Sequence, residues 1–282
     1  MKIHAPAKIN LVLDVKDKRS DGYHNVKMIM QTLELGDVVT VEAQVADKTE
    51  ITITSDSASV PCNESNIAYK AAMAILNVAQ MHCNVHIDIQ KNIPVCAGLA
   101  GGSTDGAAVL VGLNSILELG YSTDKLMELG AKFGADVPFC IMQGTALAEG
   151  TGTQLSTVSS YGEHPVLLVK PDIDVATPWV YKNLKLDTVT HPDVDSFINC
   201  ISNADYAQSY IHMGNVLETV TVAEYPIIDK IKKQMKDCGA LVSMMSGSGP
   251  TVFGIFDSTE AANDAAEIFK KEFKQVIVTK TV

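Results

Sequence analysis

The segment Pro94-Val-Cys-Ala-Gly-Leu-Ala-Gly-Gly-Ser-Thr-Asp-Gly-Ala-Ala108 joins a glycine-rich loop to an alanine- and leucine-rich stretch with helical spacing. The start of a helix leaves backbone N–H groups unpaired and carries a partial positive charge. Glycines lack a Cβ, so this backbone can bend sharply and approach an anion closely. Ser103 and Thr104 add hydroxyls at the predicted N-cap. The segment therefore predicts a phosphate-binding loop rather than an ordinary glycine-rich turn.

The spacing of the glycines distinguishes this loop from two common phosphate loops. A Walker A loop is excluded because no Gly-Lys-Ser/Thr follows at the required spacing. The dinucleotide fingerprint G-x-G-x-x-G is excluded because Leu99 and Ala100 separate Gly98 from the next glycine. The pattern P-x-x-x-G-L-x-G-G-S-S/T-x-x-A instead resembles the phosphate loop of the galactokinase, homoserine kinase, mevalonate kinase and phosphomevalonate kinase (GHMP) superfamily.

Four further segments support this resemblance: 5–11 (Ala-Pro-Ala-Lys-Ile-Asn-Leu), 19–24 (Arg-Ser-Asp-Gly-Tyr-His), 134–139 (Gly-Ala-Asp-Val-Pro-Phe) and 246–253 (Ser-Gly-Ser-Gly-Pro-Thr-Val-Phe). The last is similar to the third motif of the superfamily. The other three resemble the branch that phosphorylates a cytidine diphosphate-linked methylerythritol in the non-mevalonate pathway to isoprenoid precursors. The resemblance extends from residue 5 to about residue 256, and the order of the motifs is that of the superfamily.

Composition excludes several other classes of function. The chain has 282 residues, 46% hydrophobic and 20% charged, and a formal net charge of −11. The acidic balance disfavours binding to nucleic acid or to an anionic membrane surface. Neither a secretory leader nor an apolar stretch of bilayer length is visible, and the six scattered cysteines form no C-x-x-C pair. We expect a cytoplasmic protein with free thiols that binds no nucleic acid and no membrane, as a monomer or a homodimer.

Periodicity predicts a mixed α+β fold. Alternation predicts strands over 3–15, 28–33, 38–43, 51–54 and 85–90, and helical spacing predicts helices over about 65–79, 103–119 and 123–133. The second half predicts strands over 165–170, 240–246 and 251–257 and at the end, with helices near 178 and over 193–218, 225–238 and 259–273. The resemblance implies an S5-like N-terminal domain, placed at 1–155, a ferredoxin-like C-terminal domain, placed at 156–282, and a cleft between them.

Lys8 and Asp136 are the predicted catalytic residues. Asp136 lies on a turn between Gly134 and Pro138, where its carboxylate can act as a base towards an acceptor hydroxyl. A cation such as Lys8 would keep that carboxylate ionised and stabilise developing negative charge. In the superfamily the matching Lys and Asp face the acceptor hydroxyl. Without the motifs, a solvated lysine and a turn-forming aspartate would be the preferred interpretations.

The acceptor substrate is predicted to contact five residues: Asn10, Tyr23, His24, Thr177 and Tyr181. A cytosine ring can stack on a tyrosine, and a histidine can offer a donor and an acceptor to its edge. The resemblance implies a second aromatic residue from the C-terminal domain, for which Tyr181 fits better than Trp179. The alternative is a hairpin turn whose flanking aromatic residues have no such role.

ATP is the predicted phosphate donor. Its predicted contacts are Pro94, Val95, Cys96, Ala97, Gly98, Leu99, Ala100, Gly101, Gly102, Ser103 and Thr104 of the loop, with Asn66 as either an adenine contact or an N-cap. Gly247, Ser248 and Gly249 are predicted to shape the cleft floor and to order the loop. Mg2+ is expected with ATP; the sequence identifies no protein ligand for it, and Ser103 is the one candidate. Ala100 and Gly106 depart from the superfamily pattern and are interpreted as tolerated variation.

The sequence thus favours an ATP-dependent kinase that phosphorylates the 2-hydroxyl of the cytidine-linked alcohol. Three alternatives stay open at this point: a kinase of the same fold acting on another small alcohol, a silent nucleotide-binding regulator, and an RNA-associated protein. The intact Lys8 and Asp136 disfavour the regulator, the Tyr23–His24 pair disfavours another acceptor, and the net charge of −11 disfavours RNA.

Overall fold

The structure is a computed structural model that describes the whole chain, Met1–Val282. It forms two compact units. The first comprises Met1–Ala7, Leu35–Val95 and Ala100–Gln143, and the second comprises Lys8–Glu34, Cys96–Leu99 and Gly144–Val282. The domain boundary at residue 155 stays a prediction. No helix combines the length and apolarity needed to cross a bilayer.

The elements alternate between strands and helices along the chain. They begin with β1 (Lys2–Lys18), β2 (His24–Val45), β3 (Glu50–Ser55), α1 (Ile67–Ala79), β4 (Cys83–Gln90), α2 (Gly101–Ile116), α3 (Thr123–Gly130) and α4 (Val137–Met142). They continue with β5 (Thr145–Gly150), β6 (Gln154–Thr157), β7 (Pro165–Lys170), α5 (Thr177–Asn183), α6 (Val194–Ser202), α7 (Tyr206–Ser209), β8 (Gly214–Asn215), α8 (Glu218–Glu224), α9 (Ile227–Asp237), β9 (Val242–Met245), β10 (Val252–Ile255), α10 (Thr259–Phe269) and β11 (Gln275–Lys280).

In the first unit, helices α1 to α4 cover a sheet with the order β3-β4-β2. Strand β4 pairs parallel with β3 and antiparallel with the second half of β2. Every second residue of Cys83–Gln90 is buried, as expected for a strand with one face in the core. The core formed under this sheet contains Val41, Ile75, Ile87 and Leu110.

The packing of α1 on α2 explains Gly106. A Cβ at this position would lie 2.6 Å from Ile67 Cγ2 and 3.4 Å from its carbonyl oxygen. A Cβ contact of 2.6 Å is shorter than real proteins show, so an alanine would require Ile67 or one of the two helices to shift. Interpreting Gly106 as tolerated variation was therefore wrong, because the close helix contact requires a residue without a side chain.

In the second unit, β1 and β2 are hydrogen-bonded neighbours, and each has a further partner. The first half of β2 pairs antiparallel with β5, which pairs with β6. On the other side, β8 runs parallel to β1 with Gly214 opposite Val12 and Asn215 opposite Leu13. This short strand aligns the segment after residue 213 with the strand that carries Lys8 and Asn10.

A second sheet in this unit has the order β11-β7-β10-β9, and all its neighbours are antiparallel. Strand β7, helix α9, strands β9 and β10, helix α10 and strand β11 follow one another in the β-α-β-β-α-β succession of a ferredoxin-like motif, with α5 to α8 and β8 inserted after β7. Two sheets covered by helices confirm the predicted α+β class.

Several predicted boundaries were wrong. The helix expected over 193–218 is broken into α6, α7 and β8, because Ala204 takes a left-handed conformation and the backbone at Gly214 pairs with β1. The strands expected at 28–33 and 38–43 form one strand, β2, and α4, β5 and β6 were not predicted. Helix α3 ends at Gly130, before the expected Phe133.

Candidate active site

Lys8 and Asn10 lie on the same face of β1 and are almost completely buried. Their exposed fractions are 4% and 1%, and Lys8 Nζ donates a hydrogen bond of 2.8 Å to Asn10 Oδ1. The period of two in a strand brings these side chains together. Asn10 Nδ2 in turn lies 3.3 Å from Met28 Sδ. A buried ammonium group requires polar partners, so this face of β1 is a polar site within the apolar interior.

The same strand contacts the middle of the glycine-rich loop. The backbone N–H of Lys8 donates to the carbonyl of Leu99 at 3.1 Å. Gly98 has φ +73°, and a Cβ there would lie 2.5 Å from the carbonyl oxygen of Ser246 and 3.0 Å from that of Gly249. Ser246 Oγ also donates to the Gly98 carbonyl at 2.9 Å. Only glycine can occupy position 98, because the opposing atoms belong to the backbone.

The turn that faces Gly98 is itself held by buried polar side chains. Gly247 and Gly249 both have positive φ, +57° and +92°. The amide of Asn215 donates to the carbonyls of Met245 (2.9 Å) and Gly247 (2.7 Å). Thr221 Oγ1 donates to the Ser248 carbonyl at 3.2 Å. These contacts hold the turn in place, and the role of Gly247, Ser248 and Gly249 in ordering the loop stays a prediction.

Sequence reasoning missed Asn215 and Thr221. Asn215 stands alone in His-Met-Gly-Asn-Val, within a segment predicted to be helical, and no neighbouring residue indicated a buried amide. The one available signal was Gly214, which interrupts the helical pattern two residues after His212.

The residues predicted for the cytidine substrate form two contacts in the second unit. The rings of His24 and Tyr181 lie 5.2 Å apart with an interplanar angle of 38°. Thr177, the first residue of α5, makes a hydrogen bond of 2.7 Å between its Oγ1 and Ser248 Oγ. Tyr23 is 68% exposed, and the structure shows no ring contact for it. Trp179 is 36% exposed.

The turn before His24 is a defined hairpin turn. Gly22 has φ +87°, and Asp21 Oδ1 accepts a hydrogen bond of 3.1 Å from the backbone N–H of Tyr23. Arg19 donates to both oxygens of Asp21. Burial lowers the pKa of His24, and Lys18 lowers it further. The imidazole is therefore neutral near pH 7 and can offer one donor and one acceptor.

The helix that follows the loop begins earlier than the sequence predicted. Helix α2 begins at Gly101, and Ala100 is its N-cap with φ +60° and ψ +25°. Ser103 and Thr104 are therefore not N-cap residues, as the sequence had predicted, but lie in the first turn. Interpreting Ala100 as a harmless extra methyl was also wrong, because a left-handed backbone is costly for any residue with a Cβ.

A buried ion cluster lies beside the start of α2. Lys91 Nζ donates to Asp105 at 3.0 Å and to Asp37, whose other oxygen accepts the backbone N–H groups of Asn92 (2.6 Å) and Ile93 (2.8 Å). Asp37 is completely buried, and the Lys91 and Asp105 side chains are 7% and 4% exposed. Burial raises the pKa of Asp105 to about 7, against the opposing effect of Lys91. Sequence analysis did not predict this cluster.

Two predicted site residues remain in the first unit. Asn66 is an N-cap: its Oδ1 accepts from Ala68 N at 2.8 Å, and its Nδ2 donates to the Pro61 carbonyl at 2.7 Å. The contact of Asn66 with adenine stays a prediction. Asp136 is half-buried and immediately precedes α4, where its carbonyl accepts from Cys140 N at 3.0 Å. Its catalytic role also stays a prediction.

Comparisons with known proteins identify the family to which this chain belongs. Residues 66–144 match the model of the GHMP kinase N-terminal domain, and residues 188–275 match that of the GHMP kinase C-terminal domain. A 4-diphosphocytidyl-2-C-methyl-D-erythritol kinase from Caldicellulosiruptor bescii is 45% identical over 282 residues, which cover 100% of this chain and 98% of that protein. A protein of the same name from a Geobacillus species is 49% identical over 253 residues, or 90% and 87% of the two chains.

A solved 4-(cytidine 5'-diphospho)-2C-methyl-D-erythritol kinase superposes with a TM-score of 0.85 at 29% identity, covering 100% of this chain and 99% of that one. A homoserine kinase from Cytophaga hutchinsonii, at 20% identity and a TM-score of 0.73, shares the fold. The chain therefore belongs to the 4-diphosphocytidyl-2-C-methyl-D-erythritol kinases, a branch of the GHMP kinases. The predicted two-domain GHMP kinase fold is confirmed, and GHMP kinases use ATP as the phosphate donor.

Proposed function

We propose that this chain transfers the γ-phosphoryl group of ATP to the 2-hydroxyl of 4-diphosphocytidyl-2-C-methyl-D-erythritol, in the non-mevalonate pathway to isoprenoid precursors. The observation that carries the proposal is the buried ammonium of Lys8. It is hydrogen-bonded to Asn10, and its own backbone N–H is bonded to Leu99 of the glycine-rich loop. A fixed cation beside a phosphate loop is the arrangement that phosphoryl transfer requires.

In the proposed reaction, the hydroxyl oxygen attacks the γ-phosphorus, and the bond from that phosphorus to the bridging oxygen of ADP breaks. Asp136 accepts the hydroxyl proton. Lys8 stabilises the negative charge on the transferring group, and Asn10 holds the Lys8 ammonium in place. Backbone N–H groups of the loop and of the first turn of α2 bind the ATP phosphates. Alignment and electrostatics supply most of the acceleration.

His24 and Tyr181 support the choice of a cytidine substrate. Their rings are 5.2 Å apart and tilted, so a pyrimidine ring that stacks on Tyr181 lies within reach of the His24 edge. The neutral His24 can give and accept one hydrogen bond each, which fits the adjacent donor and acceptor of cytosine. Tyr23, which is largely exposed, is available to close over the base, and Thr177 is held by its hydrogen bond with Ser248.

Mg2+ would enter with ATP. Mg2+ commonly keeps several waters and takes phosphate oxygens, with one or two protein ligands. No group of three or more His, Cys, Asp or Glu side chains is placed to hold a metal ion in this structure. Ser103, half-buried in the first turn of α2, is the candidate ligand. Bound there, Mg2+ would neutralise charge on the phosphates.

The test is ADP release with the cytidine substrate, compared with mevalonate, homoserine and galactose as acceptors. Wild type is measured beside Asp136→Asn and the exposed control Asp124→Asn. We expect turnover with the cytidine substrate alone, a loss of about 10²–10⁴-fold in Asp136→Asn, and no change in the control. Turnover with another alcohol would overturn the acceptor. ATP binding without turnover on any acceptor would instead indicate a silent regulator.

A further inference from the structure

Asn215 is a buried amide that none of the predicted motifs contains. It is 7% exposed and forms β8 together with Gly214. It lies opposite Leu13 in parallel register, and the next residue, Val216, donates its N–H to the Leu13 carbonyl at 3.0 Å. The backbone of Asn215 is therefore fixed to β1, five residues after Lys8.

The side-chain amide of Asn215 makes three hydrogen bonds, all of them to backbone groups. Nδ2 donates to Met245 and Gly247, and Oδ1 accepts the N–H of Leu217 at 3.0 Å. Two donors and one acceptor on a short planar group are the capacity of an asparagine. An aspartate would place an oxygen against two carbonyls, and an apolar residue would leave three buried backbone groups without partners.

The turn that Asn215 holds is in direct contact with the phosphate loop. Ser246 Oγ donates to the Gly98 carbonyl at 2.9 Å, and a Cβ on Gly247 would lie 3.3 Å from the same oxygen. The neighbouring carbonyl, that of Leu99, accepts from Lys8 N at 3.1 Å. The contacts therefore form a closed circuit: from β1 to Asn215, to the Ser246–Gly247 turn, to Gly98–Leu99, and back to β1.

We infer that Asn215 is a positioning residue for phosphoryl transfer. By fixing the Ser246–Gly247 turn to β1, it sets the distance between the loop segment Cys96–Leu99 and the strand that carries Lys8. In this role its effect passes through the turn rather than through contact with a substrate. The inference deepens the proposed function and rests on it for the kinetic arm of the test. A misplacement of about 1 Å at a reacting group can cost on the order of 100-fold in rate.

The test compares Asn215→Asp with Asn114→Asp. Asn114 also ties a backbone loop by its amide, donating to the Tyr121 carbonyl at 3.1 Å and accepting from Tyr121 N at 3.0 Å. Three quantities are measured at matched temperature below both melting transitions. They are kcat with the cytidine substrate, KM for each substrate, and the Kd of a non-hydrolysable ATP analogue by calorimetry.

We expect Asn215→Asp to lower kcat by about 10–100-fold and to weaken the analogue by about 10-fold, with a smaller change in the KM of the acceptor. Asn114→Asp should lower the melting temperature and leave kcat and Kd within about twofold of wild type. Equal kinetic losses in both variants would mean general destabilisation and would overturn the inference. A folded Asn215→Asp with wild-type kcat and Kd would overturn it as well.

If Asn215→Asp does not fold, Ser246→Ala tests the same circuit, because it removes only the hydroxyl that donates to Gly98. A several-fold loss of kcat and of analogue affinity is then expected, and unchanged values would contradict the inference. The analogue Kd also separates the two proposals. A wild type without turnover on the cytidine substrate would refute the proposed function, while weaker analogue binding in Asn215→Asp would still support the role of Asn215.

Discussion

The glycine-rich loop is anchored by charges in one part and by neutral groups in another. In the first unit, the segment that leads into the loop and the helix that follows it are joined by Lys91, Asp37 and Asp105, all buried. In the second unit, Cys96–Leu99 is held by a serine hydroxyl, backbone groups and glycines, with Asn215 behind them. Both anchors hold one loop, yet they use different physical chemistry.

The difference determines what each anchor responds to. A buried ion cluster depends on pH and leaves uncompensated charge when one member is removed. A neutral network depends on shape and on complete hydrogen bonding, and pH between 5 and 8 does not change it. Substitutions in the charged anchor should therefore mainly lower the free energy of unfolding, and substitutions in the neutral anchor should mainly lower the catalytic rate.

The largest effect should come from Lys91→Met. The substitution leaves two buried carboxylates, Asp37 and Asp105, without their cation, which costs about 3–5 kcal/mol in free energy of unfolding. Urea unfolding at pH 8 measures this loss. The control is Lys125→Met, which removes an exposed pair with Glu128 and should cost less than about 1 kcal/mol. Similar losses in the two variants would show that the buried cluster contributes no more than a surface ion pair.

Gly98→Ala should break the neutral anchor. The new Cβ would meet the backbone oxygen of Ser246 at 2.5 Å, and φ +73° is unfavourable for alanine. We expect kcat/KM for ATP to fall by about 100-fold, equivalent to about 2.7 kcal/mol. Gly120→Ala is the matched control, since Gly120 has a similar φ of +67° but a Cβ there would have no atom within 4 Å. An equal loss of kcat/KM in both variants would point to backbone strain in general rather than to this close contact.

The charged anchor, unlike the neutral one, should make the free energy of unfolding depend on pH. Burial raises the pKa of Asp105 to about 7 from an ordinary value of 3.8. The folded state therefore binds the proton more tightly than the unfolded state, and stability falls as pH rises from about 4 to about 7. Asp105→Asn should remove this fall, which a folded pKa of about 7 makes on the order of 2–3 kcal/mol between pH 5 and pH 8. Parallel stability curves for wild type and variant over this range would contradict the assignment.

Ala100→Gly should give the smallest effect, and it should stabilise. Ala100 has φ +60°, a conformation that costs about 1 kcal/mol for a residue with a Cβ and that glycine adopts without strain. Part of this gain in stability is lost again, because glycine has more conformational freedom in the unfolded chain. We expect a gain below about 1 kcal/mol in thermal or urea unfolding. Ala108→Gly, in the interior of the same helix, should destabilise by about 1 kcal/mol. A loss at position 100 as well would mean that the backbone there relaxes in the variant.

Local patterns predicted much of this fold. Strands β4 and β7 and helices α1, α9 and α10 follow from alternation, helical spacing and punctuation by glycine. The proximity of Lys8 and Asn10 follows from the period of a strand. The predictions that failed concern non-local contacts. Strand β8 exists because residue 214 pairs with residue 12, and helical spacing alone could not reveal a partner two hundred residues away.

The candidate site shows the same limit. Motifs singled out the loop, Ser248 and the His24–Tyr181 pair, because those residues lie in recognisable segments. Lys91, Asp37 and Asn215 have no such surroundings, and their roles come from contacts with distant backbone groups. Gly106 was undervalued because helix propensity counts only its own helix, whereas the determining contact is with Ile67 of another.

The second unit also sets an order of events during synthesis. Gln31 donates to the carbonyl of Val282, Val282 donates its N–H to Thr32, and Leu33 forms a bridge with Thr281. Strand β2 therefore acquires these partners only after some 250 further residues have left the ribosome. Closing so long a loop is slow compared with forming local helices. The nascent chain must therefore carry part of β2 exposed for most of its translation, which makes this segment the expected client surface for chaperones.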